Sequence, residues 1–188
     1  MIENNLGDIV KDRCALVIVD MQDKLFRVMA DREALLNNTL KLIAGIKALK
    51  VPIYVTEQYP KGIGNTIEKI VAELGDAYNP IEKCEFSCFN NKCFIDELEK
   101  NEFLTDIILI GIETHICVLQ TAMDAIKKGY NVHLISDCVS SRKTENKKIG
   151  VNRIMRIGGF LSSTETVLFQ LLKEAGSETF KTISNIVK

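Results

Sequence analysis

The segment Asp106-Ile-Ile-Leu-Ile-Gly111-Ile-Glu-Thr-His-Ile-Cys117-Val118 joins a buried strand directly to a helix, and this junction identifies the class of fold. Residues 106–110 are too apolar and β-branched for a half-exposed strand, so they predict an interior strand of a parallel sheet. Gly111 ends that strand. Apolar residues then recur at helical spacing as far as Lys127-Lys-Gly129, where a basic last turn and a glycine predict the end of the helix.

The helix that follows Gly111 carries a cysteine in its first turn. Thr114 is the expected N-cap, which places Cys117 at the third helical position. Backbone N–H groups there lack partners within the helix, and the helix dipole favours negative charge. We therefore expect the pKa of the Cys117 thiol to be lowered, which makes Cys117 a candidate nucleophile.

The rest of the chain alternates strand-like and helix-like segments, with an expected loop over 137–142. This order predicts a three-layer αβα fold with a mainly parallel, Rossmann-like sheet of six strands. Ligands bind beyond the carboxyl ends of such strands, where both Asp20 and Cys117 lie. The expected strands are 14–19, 53–56, 81–84, 106–110, 131–136 and 160–161, and helices are expected at 35–49, 66–74, 91–100, 145–157 and 167–173 in addition to the one after Gly111.

Length and composition restrict the class of protein. The chain has 188 residues, 46% of them hydrophobic, which suits one domain over residues 1–188. Its 24 basic and 25 acidic residues are intermixed, so the sequence favours neither a nucleic acid nor a membrane surface as partner. A polar N-terminus and the lack of a long apolar run indicate a cytoplasmic protein whose partner is a small molecule or another copy of itself.

Six cysteines in such a chain are expected to be free thiols. Cys84, Cys88 and Cys93 form neither a C-x-x-C pair nor a pattern with a nearby histidine, so they match no common zinc or iron–sulfur site. We expect these three side chains to be packing residues.

Three sequence blocks carry a resemblance to a known family. They are Ala15-Leu-Val-Ile-Val-Asp20-Met-Gln22, Lys83-Cys-Glu-Phe-Ser87 and Gly111-Ile-Glu-Thr-His-Ile-Cys117-Val118. In this order and spacing, the chain resembles the isochorismatase-like cysteine hydrolases, a superfamily that includes nicotinamidases and other small-amide hydrolases. Segments 56–62 and 137–142 make it most similar to the isochorismatase domain-containing subgroup.

The resemblance implies a catalytic triad of Asp20, Lys83 and Cys117. Cys117 would be the nucleophile, Asp20 the general base and acid, and Lys83 a fixed positive charge. Backbone N–H groups of Glu113 and Cys117 would form the oxyanion hole, next to a cis peptide bond between Ile112 and Glu113. The family also suggests a homo-oligomer.

The resemblance bears on metal binding as well. Nicotinamidases of the superfamily hold a metal through one Asp and two His residues. The two histidines of this chain lie elsewhere, His115 beside the nucleophile and His133 in an expected strand. We therefore expect no metal and no other cofactor, with His133 as a packed sheet residue.

The retained cysteine indicates the reaction. A thiol nucleophile favours hydrolysis of an amide or related C–N bond of a small molecule through a thioester, rather than the vinyl-ether cleavage of true isochorismatases. Arg142 has two interpretations, a partner for a substrate carboxylate or a structural ion pair. The candidate substrate-binding residues flank the strand ends and are Gln22, Gln58, Tyr59, Phe86 and Arg142.

Other interpretations remain open at this point. Taken singly, Asp20 would cap a helix, Lys83 would be a solvated charge and Cys117 a packing residue. For the chain as a whole, the alternatives are a catalytically idle binding or interaction module and a thiol redox sensor.

Overall fold

One parallel sheet organises the computed structural model, which describes residues 6–188. Its six strands are ordered β3-β2-β1-β4-β5-β6, and each pair of neighbours is parallel. This confirms the expected fold class. The strands are β1 (Cys14–Val19), β2 (Ile53–Gln58), β3 (Pro80–Lys83), β4 (Asp106–Ile112), β5 (Asn131–Ser140) and β6 (Phe160–Ser162).

Helices cover both faces of this sheet. No helix within residues 6–188 is long and apolar enough to cross a membrane. The helices are α1 (Asp23–Phe26), α2 (Arg32–Ala48), α3 (Pro60–Ile63), α4 (Glu68–Leu74), α5 (Lys92–Leu98), α6 (Leu119–Lys127), α7 (Thr144–Arg156), α8 (Thr164–Leu172) and α9 (Glu178–Val187).

The central strands are apolar throughout because both of their faces are covered. On β1, Leu16 and Ile18 enter the core under α2, α4, α8 and α9, whereas Val17 and Val19 enter the core under α5, α6 and α7. All four side chains are fully buried. Burying one such side chain contributes about 1.5 to 3 kcal/mol, so the two cores fix the carboxyl end of β1 firmly.

The structure differs from the elements expected from the sequence in two places. Strand β5 continues to Ser140, so most of the expected loop over 137–142 is strand. The loop was expected to begin at Asp137, but Asp137 Oδ1 accepts from the Thr164 N–H at 2.9 Å, and the preceding Ser136 Oγ donates to the Ser162 carbonyl at 2.9 Å. Helix α9 was also not expected, and its Ile183 is buried in the core that α2 covers.

Candidate active site

The carboxyl ends of four adjacent strands, β3, β2, β1 and β4, bring distant residues together. Asp20 follows β1, Lys83 ends β3, and Cys117 follows β4 by five residues. Lys83 Nζ lies 2.7 Å from Asp20 Oδ2, and both side chains are fully buried. The Cys117 side chain, which is 6% exposed, lies close enough to Asp20 for the carboxylate charge to act on its thiol. The three residues of the implied triad therefore form one buried cluster.

The Lys83 ammonium is saturated with protein acceptors. Besides Asp20, it donates to Gln58 Oε1 at 2.8 Å, the Glu85 carbonyl at 3.1 Å and the Phe86 carbonyl at 3.4 Å. An ammonium has three protons, and these four acceptors account for all of them. Lys83 can therefore supply a fixed positive charge and hold the segment after β3, but it has no proton directed at a substrate.

Charges and burial set the protonation of the cluster. Burial raises the pKa of the Asp20 carboxyl, while the charge of Lys83 and hydrogen bonds from Lys83, Thr56 and Cys117 oppose that rise. Burial acts to lower the pKa of Lys83, but the adjacent Asp20 carboxylate outweighs it and the pKa is raised. Lys83 is thus a cation, with Asp20 as its counter-ion.

The expected lowered pKa of Cys117 was wrong. Burial and, second, the negative charge of Asp20 raise the pKa of this thiol, and the charge of Lys83 opposes them without prevailing. The helix-end argument considered only local backbone donors, whereas a carboxylate from β1 lies against the sulfur. Cys117 therefore rests as a thiol beside the Asp20 carboxylate.

The backbone around Cys117 also differs from the simple cap that the sequence predicted. Thr114–Val118, which we call the nucleophile turn, is a π-helical turn preceded by Glu113 as its N-cap. The Val118 N–H donates to the Glu113 carbonyl five residues back, at 3.3 Å. Thr114 is not the cap, because its hydroxyl donates instead to the Ser140 carbonyl at 2.9 Å.

Close backbone packing holds the nucleophile turn in place. Gly111 has φ +128°, and a Cβ there would lie 2.1 Å from the Val19 carbonyl oxygen. A Cβ on Gly150 of α7 would lie 2.8 Å from the Thr114 carbonyl oxygen. The peptide bond between Ile112 and Glu113 is cis. Close backbone packing at Gly111 and at Gly150, where there is no room for a side chain, thus holds the turn that carries Cys117.

Two of the candidate substrate-binding residues have structural partners. Gln22 is fully buried, donates to the carbonyls of Gln58 and Gly64, and accepts the Gln58 N–H at 2.7 Å. Gln58 accepts from Lys83 and donates through Nε2 to the Cys84 carbonyl at 2.7 Å. These amides tie strand ends together, and their role in substrate binding stays a prediction.

The other three candidates remain at the surface. Tyr59 and Phe86 are 54% and 53% exposed, and Tyr59 lines a cavity of about 410 Å³. Arg142 is bound to Glu113, whose Oε2 accepts the Arg142 N–H at 2.9 Å and whose Oε1 lies 3.1 Å from Nε. The structure thus shows the ion pair for Arg142, with its side chain still 60% exposed.

Within residues 6–188, neither the histidines nor the cysteines belong to a cluster that could hold a metal ion. His115 contacts Ser141 Oγ through Nδ1 at 3.0 Å, and His133 Nε2 lies 3.0 Å from Asp106 Oδ1 within the sheet. No group of three or more His, Cys, Asp or Glu side chains in residues 6–188 is arranged to hold a metal ion. Of the three expected packing cysteines, Cys88 is buried, whereas Cys84 and Cys93 are exposed, so that prediction was wrong for two.

Comparison with known proteins gives consistent results. The family model described as "Isochorismatase domain" matches residues 14–166. Isochorismatase family protein 1B of Dictyostelium discoideum is 36% identical over 186 residues, 98% of this chain and 90% of that protein. The secreted isochorismatase effector Isc1 of Phytophthora sojae (strain P6497) is 33% identical, over 97% of this chain and 88% of its own. The solved MAR1 ribonuclease from Caenorhabditis elegans superposes with a TM-score of 0.89 at 30% identity, covering 95% and 91% of the two chains.

Proposed function

Because the chain belongs to the isochorismatase family, we propose that it is a cysteine hydrolase that cleaves an amide or related C–N bond of a small molecule. One observation carries the proposal: a Cys117 thiol beside a buried Asp20 carboxylate that Lys83 holds at 2.7 Å. A nucleophile, a base and a group that orients the base are the parts that acyl transfer needs. Residues 1–188 would act as one domain.

The first half-reaction uses the resting protonation of the cluster. Asp20 takes the thiol proton as Cys117 Sγ bonds to the carbonyl carbon, and the carbonyl electron pair moves to oxygen. Backbone N–H groups of Glu113 and Cys117 would stabilise that oxyanion. The C–N bond then breaks, Asp20 returns the proton to the leaving amine, and a thioester remains on Cys117.

The second half-reaction repeats the same steps with water. Asp20 takes a proton from the attacking water, which bonds to the thioester carbon. The C–S bond breaks, the carboxylic acid leaves, and the Asp20 proton returns to Cys117. Lys83 stays charged throughout, and its positive charge offsets the negative charge that moves between Asp20 and the substrate. No cofactor or metal is required for these steps.

The substrate would enter between the exposed aromatic rings of Tyr59 and Phe86 and the exposed end of Arg142. Tyr59, Phe86 and Arg142 lie on segments that follow the carboxyl ends of β2, β3 and β5, at the same edge of the sheet as the cluster. Lys83 donates to the Glu85 and Phe86 carbonyls, so the segment that carries Phe86 is attached to the Asp20–Lys83 ion pair. Homo-oligomeric assembly and a cytoplasmic location belong to this proposal as family analogies, although one relative carries the name of a secreted effector.

RNA hydrolysis is the second candidate function. It is favoured by the name ribonuclease, which the Caenorhabditis elegans relative carries. A small-molecule substrate ranks first because the net charge is −1, with acidic and basic residues intermixed, whereas binding a polyanion relies on concentrated positive charge.

The proposal is tested with a library of small amides and one short RNA, by following amine release and RNA cleavage. We expect at least one amide to be hydrolysed and an acyl adduct to appear by mass spectrometry on the peptide that contains Cys117. Cys117→Ala should lose turnover and adduct together, while Cys93→Ala, the matched control at an exposed thiol, should lose neither. Amide turnover that persists in Cys117→Ala, or RNA cleavage without amide turnover, would contradict the proposal.

A further inference from the structure

A line of three buried side chains connects the base to the helix after the nucleophile. Thr56 Oγ1 donates to Asp20 Oδ1 at 2.8 Å and lies 3.8 Å from Cys88 Sγ. The Cys88 N–H donates to Thr121 Oγ1 at 3.1 Å. Thr56, Cys88 and Thr121 are all 0% exposed, and Thr121 lies on α6, about one turn beyond Cys117. This line therefore runs from the base to the helix that follows the nucleophile turn.

Proton counting fixes the direction of these hydrogen bonds. Thr56 has a single hydroxyl proton, and an ionised carboxylate can only accept, so that proton points to Asp20. The second partner of Thr56 Oγ1 must then be a donor. Burial raises the pKa of Cys88 to about 11, so Cys88 is a thiol with a proton to give. The donors run in order from Cys88 to Thr56 to Asp20.

This order leaves the two carboxylate oxygens of Asp20 with different partners. Oδ2 is held by Lys83 at 2.7 Å, and Oδ1 is held by Thr56 at 2.8 Å. The main chain adds to the alignment, since Thr56 pairs with Val19 in the sheet and its carbonyl accepts the Asp20 N–H at 3.2 Å. With both oxygens held, rotation of the carboxylate would break at least one charge-assisted hydrogen bond.

We propose that Thr56, oriented by Cys88, is a positioning residue that keeps the Asp20 carboxylate ionised and turned towards Cys117. The proposal rests on the proposed function, because it takes Asp20 to be the base for Cys117. A hydroxyl that donates to the ionised carboxylate favours that form, so loss of the hydroxyl should raise the pKa of Asp20. The reaction should then need a higher pH, and the effect should follow the hydroxyl rather than the bulk of the side chain.

The experiment measures how fast iodoacetamide alkylates Cys117 as a function of pH, with each cysteine read separately by peptide mass spectrometry. The rate should rise as Asp20 ionises and then level off, which gives an inflection on the acid side. Thr56→Val should move this inflection upwards by about one to two pH units, the worth of a lost hydrogen bond to a charged group. Thr56→Ser retains the hydroxyl and should leave the inflection in place.

Two further variants sharpen this test. Cys88→Ala removes the S–H donor but not the Thr56 hydroxyl, so it should move the inflection in the same direction by a smaller amount. Thr39→Val is the matched control, because Thr39 is equally buried but lies on α2 against Cys138. It should leave the inflection in place, since the Thr39 hydroxyl makes no hydrogen bond within residues 6–188.

Each result decides between the two proposals. If wild-type Cys117 has no acid-side inflection, Asp20 is not its base, and the proposed function fails together with this inference. If the inflection is present but does not move in Thr56→Val, the inference alone is wrong, whatever the melting temperature. Should Thr56→Val fail to fold, Cys88→Ala takes its place, and an unmoved inflection there overturns the role of this line of side chains.

Discussion

Replacing Lys83 by methionine should destabilise the folded chain strongly, because it would leave the Asp20 carboxylate buried without its counter-ion. The two charged atoms are 2.7 Å apart and both side chains are fully buried. Removing one partner of such a pair costs about 3 to 5 kcal/mol. For a chain of 188 residues, that corresponds to a fall in melting temperature of roughly 6 to 20 °C.

The stability that is lost in Lys83→Met should depend on pH. Without Lys83, burial raises the folded-state pKa of Asp20 further above its unfolded value of about 3.9. A carboxyl with a raised folded-state pKa costs no stability while it is protonated in both states. The loss of stability grows as the pH rises from the unfolded-state pKa of the carboxyl through its folded-state pKa. The variant should therefore approach wild type near pH ~4 and fall furthest behind it at neutral pH.

Urea unfolding followed by circular dichroism at both pH values measures this loss. Lys92→Met is the matched control, since Lys92 Nζ also lies 2.7 Å from an aspartate oxygen, on Asp96, but the two side chains are 85% and 54% exposed. That control should leave the unfolding midpoint unchanged. Adding Asp20→Asn to Lys83→Met should recover much of the stability, because it removes the unpaired charge. Equal midpoints for Lys83→Met and Lys92→Met at neutral pH would show that losing the buried ion pair costs no more stability than losing the exposed one.

Three further predictions concern other parts of the chain. Gly150→Ala should cost about 1 to 3 kcal/mol in urea unfolding, because its Cβ would lie 2.8 Å from a backbone carbonyl of the nucleophile turn; unchanged stability would contradict the close packing. In the native chain, a thiol reagent should label Cys84 and Cys93 before the buried thiols, which peptide mass spectrometry can count. Despite burial, hydrogen bonds from His133 and its neighbours lower the pKa of Asp106, so stability should fall as the pH drops below about 4, and Asp106→Asn should flatten that fall.

Much of the sheet could be predicted because its central strands are covered on both faces. β1 and β4 each present an unbroken apolar run, so their pattern alone identifies buried parallel strands. The second half of β5 could not be predicted in this way. Its polar residues Ser136 and Asp137 find their partners about 26 residues later in the chain, on β6 and at the start of α8.

Part of the candidate site could be predicted from the sequence. Asp20, Lys83 and Cys117 could be chosen because each lies in a block that matches the family. Thr56 was not chosen as an Asp20 partner, because that contact depends on the register that sets it opposite Val19. The direction of the Cys117 pKa shift was predicted wrongly for a similar reason. The helix end is visible in the sequence, whereas the approach of the Asp20 carboxylate to the thiol is not.

The pH dependence of Cys117 alkylation in wild type and Asp20→Asn tests most directly whether Asp20 is the base for this thiol. We expect an acid-side inflection in wild type, above the ordinary carboxyl pKa of about 3.9, that disappears in Asp20→Asn. Asp106→Asn, which removes a buried carboxylate at the opposite end of β4, should retain it. If the wild-type and Asp20→Asn profiles superimpose, with a single inflection near the ordinary cysteine pKa of about 8.5, Asp20 is not the base for Cys117.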